Sequence, residues 1–154
     1  MASREDIGSW LEGAPQGSGD GHRGERLGLP AHGPGALAPT GARVVALLID
    51  WVLATLIAYV VLGARGSLLD VDAAAQLVTF ALVTLVLVAT VGTTIGHRLL
   101  GMRVRVLDGR PSVGLRRALV RTLLLCLVVP AVVWDRDGRG VHDRAAGTVL
   151  VRTR

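Results

Sequence analysis

The sequence predicts an all-α membrane protein: two to three transmembrane or re-entrant helices, a small cytoplasmic β-hairpin and a disordered N-terminal tail. Three observations predict it. The apolar residues, 51% of 154, are gathered into blocks, and the mean hydropathy is +0.51. Two of the blocks are long enough to cross a hydrocarbon core of about 30 Å as helices. The charge lies mostly outside the blocks: the formal net charge is +5, and all 17 basic residues are arginine. Arginine at a membrane edge keeps its charge and meets phosphate with a planar fork. The absence of lysine fits a GC-rich bacterial source, and the length fits one domain.

Residues 1–42 form a polar tail with 10 glycines and 4 prolines. Such a segment buries too little apolar surface to offset the entropy of ordering it. Within it, Ser3 to Leu11 has the makings of one short helix, with Ser3 as N-cap and Ile7, Trp10 and Leu11 on one face. An isolated helix of that length is marginal. The tail holds no apolar stretch of signal-peptide length, so the expectation is that the first membrane segment directs its own insertion.

The membrane domain is assigned to 43–154. Its first helix, 44–62, reads VVALLIDWVLATLIAYVVL, with Arg43 at its start and Asp50 inside it. A carboxylate near a helix centre costs about 2.5–3.5 kcal/mol on insertion scales. It must therefore be neutralised or paired. Arg43 and Asp50 project from one face, but the helical rise separates them by about 10.5 Å. Arg121 is the better direct partner for Asp50.

A connection at 63–72 leads to the second helix, 73–91, AAAQLVTFALVTLVLVATV, which has no charge. Its Thr79, Thr84 and Thr90 can bond to their own backbone carbonyls. A basic segment, 92–117, follows. It carries Arg98, Arg103, Arg105, Arg110, Arg116 and Arg117 against a single aspartate. Near an anionic leaflet each arginine contributes on the order of 1 kcal/mol, so these six are assigned to anionic phospholipid headgroups. A cytoplasmic protein partner is the other use for them. Nucleic acid is excluded, since the segment has no aromatic residue for stacking.

Met102 to Leu107 alternates apolar and charged residues at strand period, and Asp108-Gly109 signals a turn. The run 148–152, TVLVR, is rich in β-branched residues, so each strand is a partner for the other. Between them lies the third apolar segment, 118–134, ALVRTLLLCLVVPAVVW. Two arrangements satisfy it. A full crossing puts the C-terminus outside. A re-entrant helix broken near Pro130 keeps both strands on one side, non-helical backbone being tolerated at depth when protein covers it. Orientation follows from arginine near the helix ends. Arg26 and Arg43 precede the first helix, Arg65 alone lies in the connection, and six arginines follow the second helix. The N-terminus and the basic segment are therefore cytoplasmic in a multi-pass protein of the cell membrane.

Several chemistries find no support. GTTIGH lacks the lysine and spacing of a phosphate-binding loop. DRDGRG superficially matches a calcium loop but has Ala146 where the twelfth-position acid belongs. The histidines have no ligand spacing, so neither metal nor cofactor is expected. His142 is placed beside Asp143 to orient it. Lone Cys126 reads as a small buried hydrophobe. No nucleophile has a recognisable base nearby.

The layout resembles the RDD family of bacterial membrane proteins, named for one arginine and two aspartates. Arg43 opening the first helix and Asp50 within it match that pattern, and GVHDRAAGTVLV makes Asp143 the second aspartate. GTTIGHRLLGMRVRVLDGRP is similar to the family's segment after the second helix, and Arg121 sits where members commonly carry an arginine. The likeness spans about residues 40–154. It implies an intramembrane charge network of Arg43, Asp50, Arg121 and Asp143. The expected function is a non-enzymatic structural or accessory membrane component, in contact with the lipid bilayer and with other membrane proteins or a homo-oligomer. The alternative is a small ion or proton transporter or exchanger using Asp50.

Overall fold

The computed structural model describes residues 22, 24–61, 68, 71–127 and 139–154. The predicted short helix at 3–11, the 63–72 connection apart from 68, 71 and 72, and the predicted break at Pro130 lie outside the described residues.

Helix α1, Thr40–Val61, starts just after Pro39, whose carbonyl accepts the Arg43 N–H at 3.1 Å. It begins at Thr40 rather than at Val44, because Gly41 and Ala42 are buried and packing extends the helix below the apolar run. Helix α2, Ala73–Thr90, is capped by Asp72, whose carboxylate accepts the Ala75 N–H at 2.9 Å. Thr79 and Thr90 donate to the carbonyls one turn back, at 2.8 and 2.6 Å, as expected of hydroxyls in an apolar helix. Both helices are long and apolar enough to cross a membrane, and only 17% of each apolar window is buried. Their outward faces carry Leu48, Val52, Leu56, Val60, Val78, Leu82 and Val86, all exposed.

The two helices meet through small residues. Ala46, Ala54 and Ala58 are the buried residues of the apolar run in α1, opposite Phe80, Thr84 and Val88 of α2. Small side chains let helix backbones approach closely where lipid-facing burial provides no drive. The Trp51 and Phe80 rings pack with centroids 5.2 Å apart, tilted by 55°. The Gln76 amide donates to the Thr55 hydroxyl.

After α2 come helix α3, Ile95–Leu99, strand β1, Met102–Val106, helix α4, Leu115–Cys126, helix α5, Val141–Ala146, and strand β2, Thr148–Arg152. The two strands pair antiparallel, Met102 opposite Arg152 and Val106 opposite Thr148. The strand pairing anticipated from the sequence is present. It is not a hairpin, however: α4 and α5 lie between the strands, and the chain returns to the same sheet after them. In β1 the alternation resolves into Met102, Val104 and Val106 buried and Arg103 and Arg105 exposed. The buried face joins Ala42, Ala46, Val88, Ala118 and Leu150 in one core.

Residues 24–39 differ from the polar tail to which the sequence assigns them. The Gly35 N–H donates to the Arg152 carbonyl at 2.9 Å, the Arg152 N–H to Ala36 at 2.8 Å, and the Ala38 N–H to Leu150 at 2.9 Å. This segment lies along the free edge of β2 and places Leu29 over Val149 and Val151. The reason is that β2 is apolar on both faces. Leu150 faces the helices, so Val149 and Val151 need a second cover, and Leu27, Leu29 and Leu37 provide it.

Candidate functional site

The predicted site residues gather where the lower half of α1 meets α3, α4 and α5. Arg43 lies one turn into α1 and is nearly buried. Its Nε donates to the Ala38 carbonyl at 3.0 Å and its Nη2 to the Leu150 carbonyl at 3.4 Å. One guanidinium therefore ties α1 to the N-terminal segment and to β2. Its Nη1 also stands 3.8 Å from Asp143 Oδ2.

Asp143 and Arg121 are 1% and 2% exposed, and they form an ion pair. Arg121 comes from the inner face of α4, beside Ala118 and Thr122. Asp143 sits in the first turn of α5, and its Oδ1 accepts the Thr148 hydroxyl at 3.1 Å. Gly147 ends that helix at a φ of 64°, a left-handed conformation suited to glycine, and turns the chain into β2. His142 is buried, with Nε2 3.6 Å from Asp143 Oδ2. The separations of Asp143 Oδ2 from Arg43 and from His142 both exceed hydrogen-bond reach. A cavity of about 50 Å³ adjoins these groups and is lined by Arg43, Asp50, Thr94, His97, Arg121 and Asp143 among others. It is large enough for a water to bridge them.

Asp50 is where the structure corrects the sequence. Arg121 pairs with Asp143, and Asp50 instead accepts from the start of α3. The Gly96 N–H donates to Asp50 Oδ1 at 2.8 Å, and the Thr94 hydroxyl donates to Oδ2. Thr94 is itself the N-cap of α3 and accepts the His97 N–H at 3.2 Å. The start of α3 can take this position only because residue 96 is glycine. A Cβ there would lie 2.9 Å from the Ala46 carbonyl carbon, and closer still to its oxygen. Of the four network residues, Arg43, Arg121 and Asp143 are in direct ionic proximity. Asp50 shares their cavity but is held by a hydroxyl and a backbone amide.

The sequence does not single out His97 as a site residue. It is buried at 8% exposure in the same cavity wall. Burial pushes its imidazole well below the usual range, and the nearby Arg121, Arg43 and His142 push it the same way, so it is neutral. The signal available was Thr94 followed three residues later by a side chain able to return a bond to the cap. That reading identifies a helix start and, through it, the group facing Asp50.

Of the six arginines assigned to lipid, Arg98, Arg103, Arg105, Arg110 and Arg116 are exposed and Arg117 is half-buried. Two of them are shared with Asp108: Arg117 Nη2 lies 2.7 Å and Arg110 Nε 3.3 Å from its carboxylate. The hydrogen bond from Arg117 holds the Asp108 carboxyl below the usual range. Cys126 is half-buried at the end of α4, less enclosed than the sequence implied.

Two membrane-length apolar helices clasped at one end by a small sheet and a buried arginine–aspartate cluster define a membrane-type helical protein. The chain belongs to the RDD family, whose pattern matches residues 37–147. No curated protein and no solved structure matches it.

Proposed function

We propose that this RDD family member is a non-enzymatic, integral component of the cell membrane. Helices α1 and α2 cross the bilayer, and the sheet, the N-terminus and the C-terminus lie on the cytoplasmic side. Helix α4 enters as a re-entrant element, since β1 before it and β2 after it belong to one sheet. The charged side chains fasten the spans to the cytoplasmic cap, and the assembled unit supports the assembly of other membrane proteins or of its own oligomer.

One observation carries this reading: both Asp50 oxygens are engaged by the chain's own donors, Thr94 and Gly96. A carboxylate committed to holding α3 against α1 is a fastening. The relay alternative draws on a different observation, that Asp50, His97, His142 and Asp143 line one cavity. Against it, a relay needs ionisable groups along the whole crossing, and the buried residues of α2, Phe80, Thr84 and Val88, do not ionise.

Asp50→Asn separates the two. An asparagine presents an amide N–H₂ towards donors, so one bond to α3 is lost, and a fastening role predicts loss of the protein from the membrane fraction. Normal accumulation with loss of ion or proton flux in proteoliposomes would transfer the assignment to the relay. A reporter fused after Arg154 is expected in the cytoplasm. A periplasmic signal would remove the re-entrant arrangement.

A further inference from the structure

We infer that the start of α4 holds the headgroup of one anionic phospholipid, whose acyl chains lie along the outer face of the same helix. The inference rests on the membrane reading above and narrows it to a single site.

Two features adjoin there. The first is a leucine stripe. Leu115, Leu119 and Leu123 of α4 and Leu127, its C-cap, recur every four residues along one side of the helix and are 42–66% exposed. The opposite face holds Ala118, Arg121 and Thr122, all buried. The stripe is thus the outward face of a helix already seated against α2 and α5. The second feature is an open groove of about 480 Å³ at the N-terminal end of that stripe. Arg110, Arg116 and Arg117 line it, and Leu115 forms part of its wall. Asp108 pairs with Arg110 and Arg117 from outside the lining. Three guanidinium groups against one carboxylate leave the groove cationic.

A cationic groove that opens directly onto an exposed apolar stripe has the polarity of a phospholipid. The headgroup phosphate meets planar forks of the kind arginine presents to phosphate. The chains run from Leu115 towards Leu127. The sequence assigns six arginines to lipid without distinguishing them. The structure separates three around this groove from Arg98 on α3, which is not among its lining residues.

The test uses the full chain in a zwitterionic detergent, titrated with dihexanoyl phosphatidylglycerol, dihexanoyl phosphatidylcholine, glycerophosphoglycerol without acyl chains, and inorganic phosphate. Binding is read from the shift in thermal unfolding. The phosphatidylglycerol is expected to bind in preference to the other three. Arg116→Gln and Arg110→Gln are each expected to weaken it about fivefold, the change in binding that one arginine near an anionic surface produces. Arg98→Gln is expected to leave it unchanged, and Leu119→Asn to weaken phosphatidylglycerol without changing any response to inorganic phosphate.

Equal losses in Arg98→Gln and Arg116→Gln would overturn the site in favour of diffuse attraction. Inorganic phosphate binding as tightly as the lipid would make it a phosphate site. Self-association abolished by Leu119→Asn would give the stripe to a second copy. Failure of the membrane reading is distinguishable, because the chain would then be recovered from cells without detergent. A chain that fractionates with membranes but shows no preference for phosphatidylglycerol loses the lipid site alone.

Discussion

Replacing Gly96 by alanine adds one methyl group where the first turn of α3 touches the backbone of α1. The added Cβ would lie 2.9 Å from the Ala46 carbonyl carbon and 3.0 Å from its Cα, with the carbonyl oxygen nearer still. Ordinary contact begins at 3.4 Å, so α3 must retreat by several tenths of an ångström at the least. The obstacle is main chain inside a helix, so no rotamer change relieves it, and Ala46→Gly does not rescue it. Overpacking of this kind costs about 1–3 kcal/mol. The retreat also lengthens the 2.8 Å bond from Gly96 to Asp50. A hydrogen bond to a charged group contributes about 1.5–3 kcal/mol. The sum, about 2.5–6 kcal/mol, is a large share of the roughly 5–15 kcal/mol that holds a typical domain together. The assay is thermal unfolding of the purified chain in detergent, together with its abundance in the membrane fraction. Gly96→Ala within about 0.5 kcal/mol of the parent, a change of ordinary surface size, would refute both the close approach and the role of the amide.

Three further outcomes are expected. His97 is buried neutral, so the unfolded chain takes up a proton near the ordinary imidazole value of about 6.5 and the folded chain does so only at lower pH. Stability should be full above that value and fall as pH drops below it, by up to about 1.4 kcal/mol per pH unit. Urea titrations between pH 7 and pH 5 check this, and His97→Gln should flatten the slope. Arg121→Met removes the closest cationic partner of buried Asp143 and should cost about 3–5 kcal/mol, whereas Arg121→Met with Asp143→Leu should cost less than the two single changes together. A double-mutant cycle read by thermal unfolding measures the difference. Leu29→Ala uncovers Val149 and Val151 and should cost about 2–5 kcal/mol, measured the same way.

Much of the architecture was legible in the chain. The apolar runs at 44–62 and 73–91 correspond to α1 and α2, because unbroken apolar stretches of that length leave few other solutions. The strand pair was legible because Met102, Val104 and Val106 alternate with arginine. Arg43 and Asp143 were legible through the family likeness. The partner of Asp50 was not. A reading of charges searches among charges, but the donors are a hydroxyl and a backbone amide far along the chain, beyond the whole of α2. Backbone donors leave no mark in composition. The order of residues 24–39 was also hidden, since glycine and proline make up seven of its sixteen residues and the need it fills belongs to β2. The third apolar segment starts as helix at Leu115, not Ala118: the Ala118 N–H donates to the Gly114 carbonyl at 3.1 Å and closes a first turn through Arg116 and Arg117 ahead of the apolar run.

The central claim is that the acidic group within α1 is secured by the opening turn of α3. Dipolar recoupling in lipid bilayers, with ¹³C at the Asp50 carboxyl carbon and ¹⁵N at the Gly96 amide, measures that contact in place. A strong coupling between the two labels is the predicted result. No coupling to Gly96, with the carboxyl carbon coupled instead to an arginine guanidinium nitrogen, would contradict it.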